Sequence, residues 1–189
     1  RVYVYSGSDF GWVTVNEDGT DPEYINATGG TETTSGNYKV HTFNSTSNFV
    51  VSSLGNEAGG GALVSSLVVA GGGGGGQNHG AGGGGGGFRE NKEPGGGYTA
   101  SPIAATPGIT VAVQTYPITV GAGGAATAGQ NAPNGSSSVF STITSAGGGH
   151  GGSNDGVPAH PGKPGGSGGG AKKAGTAGSG NTPPVSPSQ

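Results

Sequence analysis

The chain has no cysteine and no methionine, a single tryptophan, and only seven Lys and Arg against ten Asp and Glu in 189 residues. Without cysteine there is no disulfide framework and no thiolate metal site. Seven scattered basic residues give no electrostatic footprint for nucleic acid. No stretch approaches the roughly 20 apolar residues of a membrane-spanning helix. Charged residues make up 9% of the chain and the formal net charge is -3, too little charge to keep an expanded, disordered chain in solution. With 29% hydrophobic residues, one core for the whole length is not expected, and oligomerisation is the expected further source of stability.

Glycine is what the chain has instead. There are 47 Gly and 12 Pro, the level at which low complexity is the ordinary reading. The chain is organised around Leu67 to Ala70, a short apolar run rich in β-branched residues, which leads straight into Gly71 to Gly76. The spacer Gln77 to Ala81 follows, and then Gly82 to Gly87. Glycine loses more backbone freedom on ordering than any other residue. Such hexamers are therefore either disordered or ordered by packing against one another. No segment has a 3.6-residue apolar period. The expected fold is all-β, with short strands alternating with extended polyglycine II/polyproline II-type glycine helices and little or no α-helix.

Three regions divide the sequence. Residues 1–54 read as a small β region, with strands at 1–5, 12–15, 38–43 and 49–54, a turn at Asn16 to Gly19, and a loop over 28–37. Residues 55–146 read as a glycine-rich domain of strands feeding polyglycine tracts. Strands are expected at 63–69, 109–113, 116–120 and 139–143, with Pro117 marking an edge strand or a strand's beginning. Residues 147–189 read as a Gly/Pro-rich extended tail with period three. Stepping by three from Gly156 meets Ala159, Gly162, Gly165, Gly168, Ala171, Ala174, Ala177 and Gly180, all Gly or Ala.

Period three belongs to the polyproline II helix, with ~3.1 Å rise per residue and no internal hydrogen bonds. Collagen requires glycine at every third position, so the alanines argue against it; a looser bundle of glycine helices tolerates them. In that conformation N–H and C=O groups point outward and must find lateral partners, aided by Cα–H···O contacts. Each hexamer would span about 19 Å at that rise. Ordering costs ~1–2 kcal/mol per residue, so several tracts have to pack together.

The segments Leu67 to Gly76, Gly82 to Arg89, Tyr116 to Gly124 and Asn134 to Gly149 occur in that order. Ala27 to Phe43 precedes them, and Gly162 to Gly170 and Asn181 to Pro187 follow. Over roughly residues 25–187 this series resembles the glycine-rich domain of bacteriophage tail fibres and related virion adhesins. The resemblance implies a non-enzymatic, extracellular virion appendage with no cofactor and no catalytic residues. It also implies a homo-oligomer, most often a trimer, and a host cell-surface receptor contacted by loop tips. By analogy the tips are Phe88 to Tyr98 and Ala125 to Ser138, and the candidate contact residues are Phe88, Arg89, Tyr98, Asn131 and Asn134. Aromatics and Arg are favoured at binding hot spots. Trp12 reads instead as a plug at the end of a thin core.

Other motifs carry less. G-x-G-x-x-G occurs inside any glycine hexamer, and phosphate binding needs a helix after the loop; none is expected after Gly76. Gly156 to Lys163 is one residue too long for a phosphate-binding loop, with Pro164 in place of Ser or Thr. His41, His79, His150 and His160 lack a second ligand at metal spacing. Glu17, Asp18, Asp21 and Glu23 cluster, but in no calcium-loop frame, and read as a solvated turn. The Asn-x-Ser/Thr triplets at Asn26, Asn44 and Asn134 match a glycosylation pattern that a chain this rich in Asn and Thr meets by chance. The sequence is read as a piece of a longer polypeptide. The rival reading is a self-polymerising extracellular filament subunit without a receptor role, which predicts open-ended head-to-tail assembly rather than a closed ring. An ice-binding glycine bundle would need a flatter, more regular face.

Overall fold

A computed structural model of the chain describes residues 2–5, 12–15, 21–94, 97–125, 132–154 and 159–189. It is all-β. A single 3₁₀ turn, Glu57–Gly59, is the one helical element among the described residues.

β1 (Val2–Tyr5) and β2 (Trp12–Val15) form an antiparallel hairpin, as the alternation of both segments predicts. β3 (Asn26–Thr28) is followed by a second hairpin, β4 (Thr31–Ser35) and β5 (Tyr38–Thr42), turned by Gly36 and Asn37. This corrects the loop expected over 28–37. All five residues of β4 are exposed, so no apolar alternation marks it. Its signal is the two-residue turn with Gly36 at φ 57°, the left-handed conformation such hairpins require.

β6 (Ser47–Ser53), β11 (Thr115–Thr119), β12 (Ser138–Phe140) and β13 (Ile143–Ser145) join β3 in a five-stranded antiparallel sheet of order β13-β12-β11-β6-β3. The remaining strands pair as two-stranded ribbons: β7 (Leu63–Val64) with β10 (Ile109–Thr110), β8 (Ser66–Val69) with β9 (Phe88–Asn91), and β14 (Ala159–His160) with β15 (Lys172–Lys173). The strand expected over 63–69 therefore breaks at Ser65, and that over 109–113 ends at Thr110. The strand expected over 139–143 is a hairpin instead, because Ser141 takes φ 53° between β12 and β13. β11 is the central strand, not an edge. Pro117 is tolerated because pairing with β12 begins only at Ile118, so its missing N–H costs no ladder bond.

Alternation along β6 buries Phe49 and Val51, and along β11 it buries Tyr116 and Ile118. These four meet Ala27, Val68, Ile109, Val111 and Phe140 in one small core. Phe49 is its hub, with ring centroids of Phe43, Tyr116 and Phe140 at 6.3, 6.5 and 6.0 Å.

Above this core stands a second layer built of backbone. Ala70, Gly73 and Gly76 donate their N–H groups to the carbonyls of Gly87, Gly84 and Ala81 at 3.0, 2.8 and 2.8 Å. Gly71 and Gly74 donate to Ser136 and Pro133. Ala81, Gly84 and Gly87 donate in turn to Gly152, Gly149 and Ala146 at 2.9, 2.8 and 2.7 Å. Each partner run is met by every third residue. The segment beyond residue 147 takes part in the same lattice. Gly148 and Gly151 donate to Gly71 and Gly74, and Gly149 and Gly152 donate to Ser167 and Gly170. Gly162 and Gly165 donate to Thr176 and Ser179.

Glycine is needed here for want of room. An added Cβ at Gly147, Gly148, Gly149 or Gly151 would lie 1.9, 2.1, 1.7 or 2.0 Å from a backbone oxygen of a neighbouring run. Gly147, Gly148, Gly149 and Gly151 are thus walled in by backbone. The outer hexamers differ: Gly72, Gly75, Gly82 and Gly85 have nothing closer than 3.5 Å to a Cβ position, and Gly82 has nothing within 4 Å. These too recur every third residue.

Candidate functional site

The strands hold one end of the lattice, where Ala70 meets Gly87, and the spacer Gln77–Gly80 turns at the other, where Gly76 meets Ala81. In that turn Asn78 and His79 are exposed, with φ of 51° and 60°. Gln77 is tied to the neighbouring run, its N–H donating to Ser153 Oγ at 3.1 Å and its carbonyl accepting from Asn154 N at 3.0 Å. In the sequence this turn is marked by the spacer that breaks the glycine run into two hexamers.

The candidate contact residues of the sequence fall in several places. Phe88 and Arg89 are half-buried in β9, opposite Val69 and Val68, at the strand end of the lattice. Tyr98 is exposed beside Lys92, whose Nζ lies 5.2 Å from the ring centroid. Asn134 accepts a hydrogen bond from the His150 N–H at 2.9 Å, pinning its own run to the central one. Asn131 and the side chain of Trp12 lie outside the described residues.

The histidines are dispersed. His41 Nδ1 donates to the Gly29 carbonyl at 2.9 Å, and its ring meets Phe49 edge-on at 5.2 Å. His150 is buried, with Nδ1 3.0 Å from the Gly151 carbonyl. Among the described residues no three His, Asp or Glu side chains group to hold a metal. Glu17 and Asp18 lie outside the described residues. The Asp21 carbonyl accepts from Asn56 Nδ2, and the Glu23 N–H donates to Asn56 Oδ1; that asparagine clasps the chain to the sheet. Gly76 leads into a turn, not a helix, so no phosphate cradle forms there.

Residues of the β4–β5 hairpin and the β8–β9 ribbon line a recess of about 2220 Å³. Leu67, Val69 and Phe88 line it from the ribbon, Tyr38 and Val40 from the hairpin, and Glu93, Pro94 and residues 97–101 border it as well. Gly97 N donates to Tyr38 Oη at 3.0 Å, the one bond between that segment and the hairpin among the described residues.

Glu90, buried in the wall, accepts from Ser101 N at 2.9 Å. The Ser101 hydroxyl beside it and that N–H hold its carboxyl below the ordinary value, against the opposing effect of burial, with Tyr98 and Lys92 adding to the lowering. Burial pushes the Tyr98 phenol up, and the nearby Glu90 and Glu93 carboxylates act in the same direction. The sequence pointed to Tyr98 but not to its neighbours Tyr38 and Glu90, because these residues come together only in three dimensions.

No curated protein and no solved structure matches the chain. A protein-family model does, over most of its length, and it describes the lattice region. Residues 57–186 match the glycine-rich domain, and the chain belongs to that family.

Proposed function

We propose that this chain is a non-enzymatic structural segment of an extracellular virion appendage, a phage tail fibre or adhesin, that displays loops toward a host surface. The observation that carries the reading is that Gly147, Gly148, Gly149 and Gly151 of the central run are walled by backbone, with no space for a Cβ. A scaffold of that kind is thin, and it is stiff because each run is bonded sideways to several others. The recurrence of bonds at every third residue supports polyglycine II-type helices, which have three residues per turn. Such a scaffold performs no chemistry; it fixes the separation between the strand layer and the loop ends. The partners are further copies of the chain, most readily a trimer, and a receptor on the host.

Fluorescently labelled chain applied to a panel of bacterial strains tests the reading. Saturable binding to at least one strain is expected. No saturable binding to any strain would overturn it.

The bare face formed by Gly72, Gly75, Gly82 and Gly85 favours a second reading, a filament subunit. Alanine would fit these positions, and glycine there costs about 0.5–1 kcal/mol against alanine, a cost that a second copy's backbone packing on that face would offset. Light scattering separates the two: a discrete species belongs to the appendage, open-ended concentration-dependent growth to the filament.

A further inference from the structure

The recess between the β4–β5 hairpin and the β8–β9 ribbon has the make-up of a ligand site, and we infer that it binds a neutral oligosaccharide. The inference rests on the attachment reading and names the chemical class of the receptor.

Two tyrosine rings line the recess with about half of their surface open, Tyr38 at 42% and Tyr98 at 47%. Both are held before any ligand arrives. Tyr38 Oη accepts from Gly97 N, and Tyr98 is packed by Lys92 on its ring. A fixed aromatic plane with a polar tip offers large contact area at little entropic cost, and the C–H faces of a pyranose stack on such planes.

Between the rings the wall carries acceptors and donors together. Glu90 and Glu93 supply carboxylates, and Lys39 an ammonium.

Other classes fit less well. An anion would meet Glu90 and Glu93. A cation would compete with Lys92 for Tyr98. A purely apolar ligand would cover the carboxylates without bonding them, at a cost of roughly 1–3 kcal/mol each. The volume exceeds the ~300–1,000 Å³ of a single small-molecule pocket, which suits a chain of several sugar units. Leu67 and Val69, more than half exposed along the ribbon side, match the C–H edges of such a chain.

The test is saturation-transfer NMR of the full chain with neutral hexasaccharides of glucose, galactose, mannose and N-acetylglucosamine, alongside the cell-binding assay. Binding of at least one hexasaccharide is expected. Tyr98→Ala should weaken it by about tenfold or more, Tyr98→Phe should keep most of it, and His79→Ala in the far loop should leave it unchanged. Absence of binding by all four at millimolar concentration overturns the inference, as does binding indifferent to Tyr98→Ala. Cell binding that persists without hexasaccharide binding sinks the recess alone, and hexasaccharide binding without cell binding sinks the attachment reading alone.

Discussion

An added Cβ at Gly148 would sit 2.1 Å from the Gly84 carbonyl oxygen, while at Gly82 it would meet nothing within 4 Å. Two residues of one type, in one lattice, are therefore held to glycine by different causes. Gly148→Ala forces two backbones apart, and overpacking of that kind costs typically 1–3 kcal/mol. Gly82→Ala removes freedom from the unfolded chain without a clash and should stabilise a single copy by about 0.4–1 kcal/mol. Urea unfolding of the two variants checks this pair, and equal destabilisation by both would contradict it. The sequence shows only that both positions are glycine; which of them is enclosed depends on how other segments of the chain pack around it.

At the scale of elements, Glu90 fastens β9 to the segment that borders the recess. Its carboxyl ionises below its ordinary value of 4.5 in the folded chain. A lowered folded value means stability that is complete above that ordinary value and is lost as pH falls through the folded one. Glu90→Gln should therefore be less stable than the parent near neutral pH, with the gap closing as the solution is acidified below about pH 4.5. Thermal unfolding from pH 7 to 3 reads this directly, and a gap that widens in acid would contradict it. Elements with an alternating buried face were legible in the sequence. Phe49 and Val51 mark β6, and Tyr116 and Ile118 mark β11, because period two survives wherever one face packs on a core. β4 was hidden since both of its faces meet water. The β12–β13 hairpin was hidden since a serine, not a glycine, takes the positive φ at its turn. The tyrosine corner was hidden for another reason: its members are brought together by the fold and share no spacing in the chain.

For the whole molecule, a small aromatic core anchors a lattice that has almost no side chains to bury. Its order must come from lateral backbone bonds acting together, since each ordered residue costs ~1–2 kcal/mol and a single net hydrogen bond returns only about 0.5–1.5 kcal/mol. Burial of the run 146–152 among its neighbours and its attachment to strands at one end supply the remainder. The period of three in the sequence was the legible part of this layer; the pairing of runs was not, because identical glycines carry no register. Amide hydrogen exchange followed residue by residue by NMR tests the lattice most directly. Ala81, Gly84 and Gly87, which donate to Gly152, Gly149 and Ala146, should exchange slowly, as should Gly148 and Gly151. Gly82 and Gly85 have no acceptor among the described residues and should exchange fast, giving a protection pattern with a period of three along one hexamer. Uniformly fast exchange through both hexamers would contradict the lattice altogether.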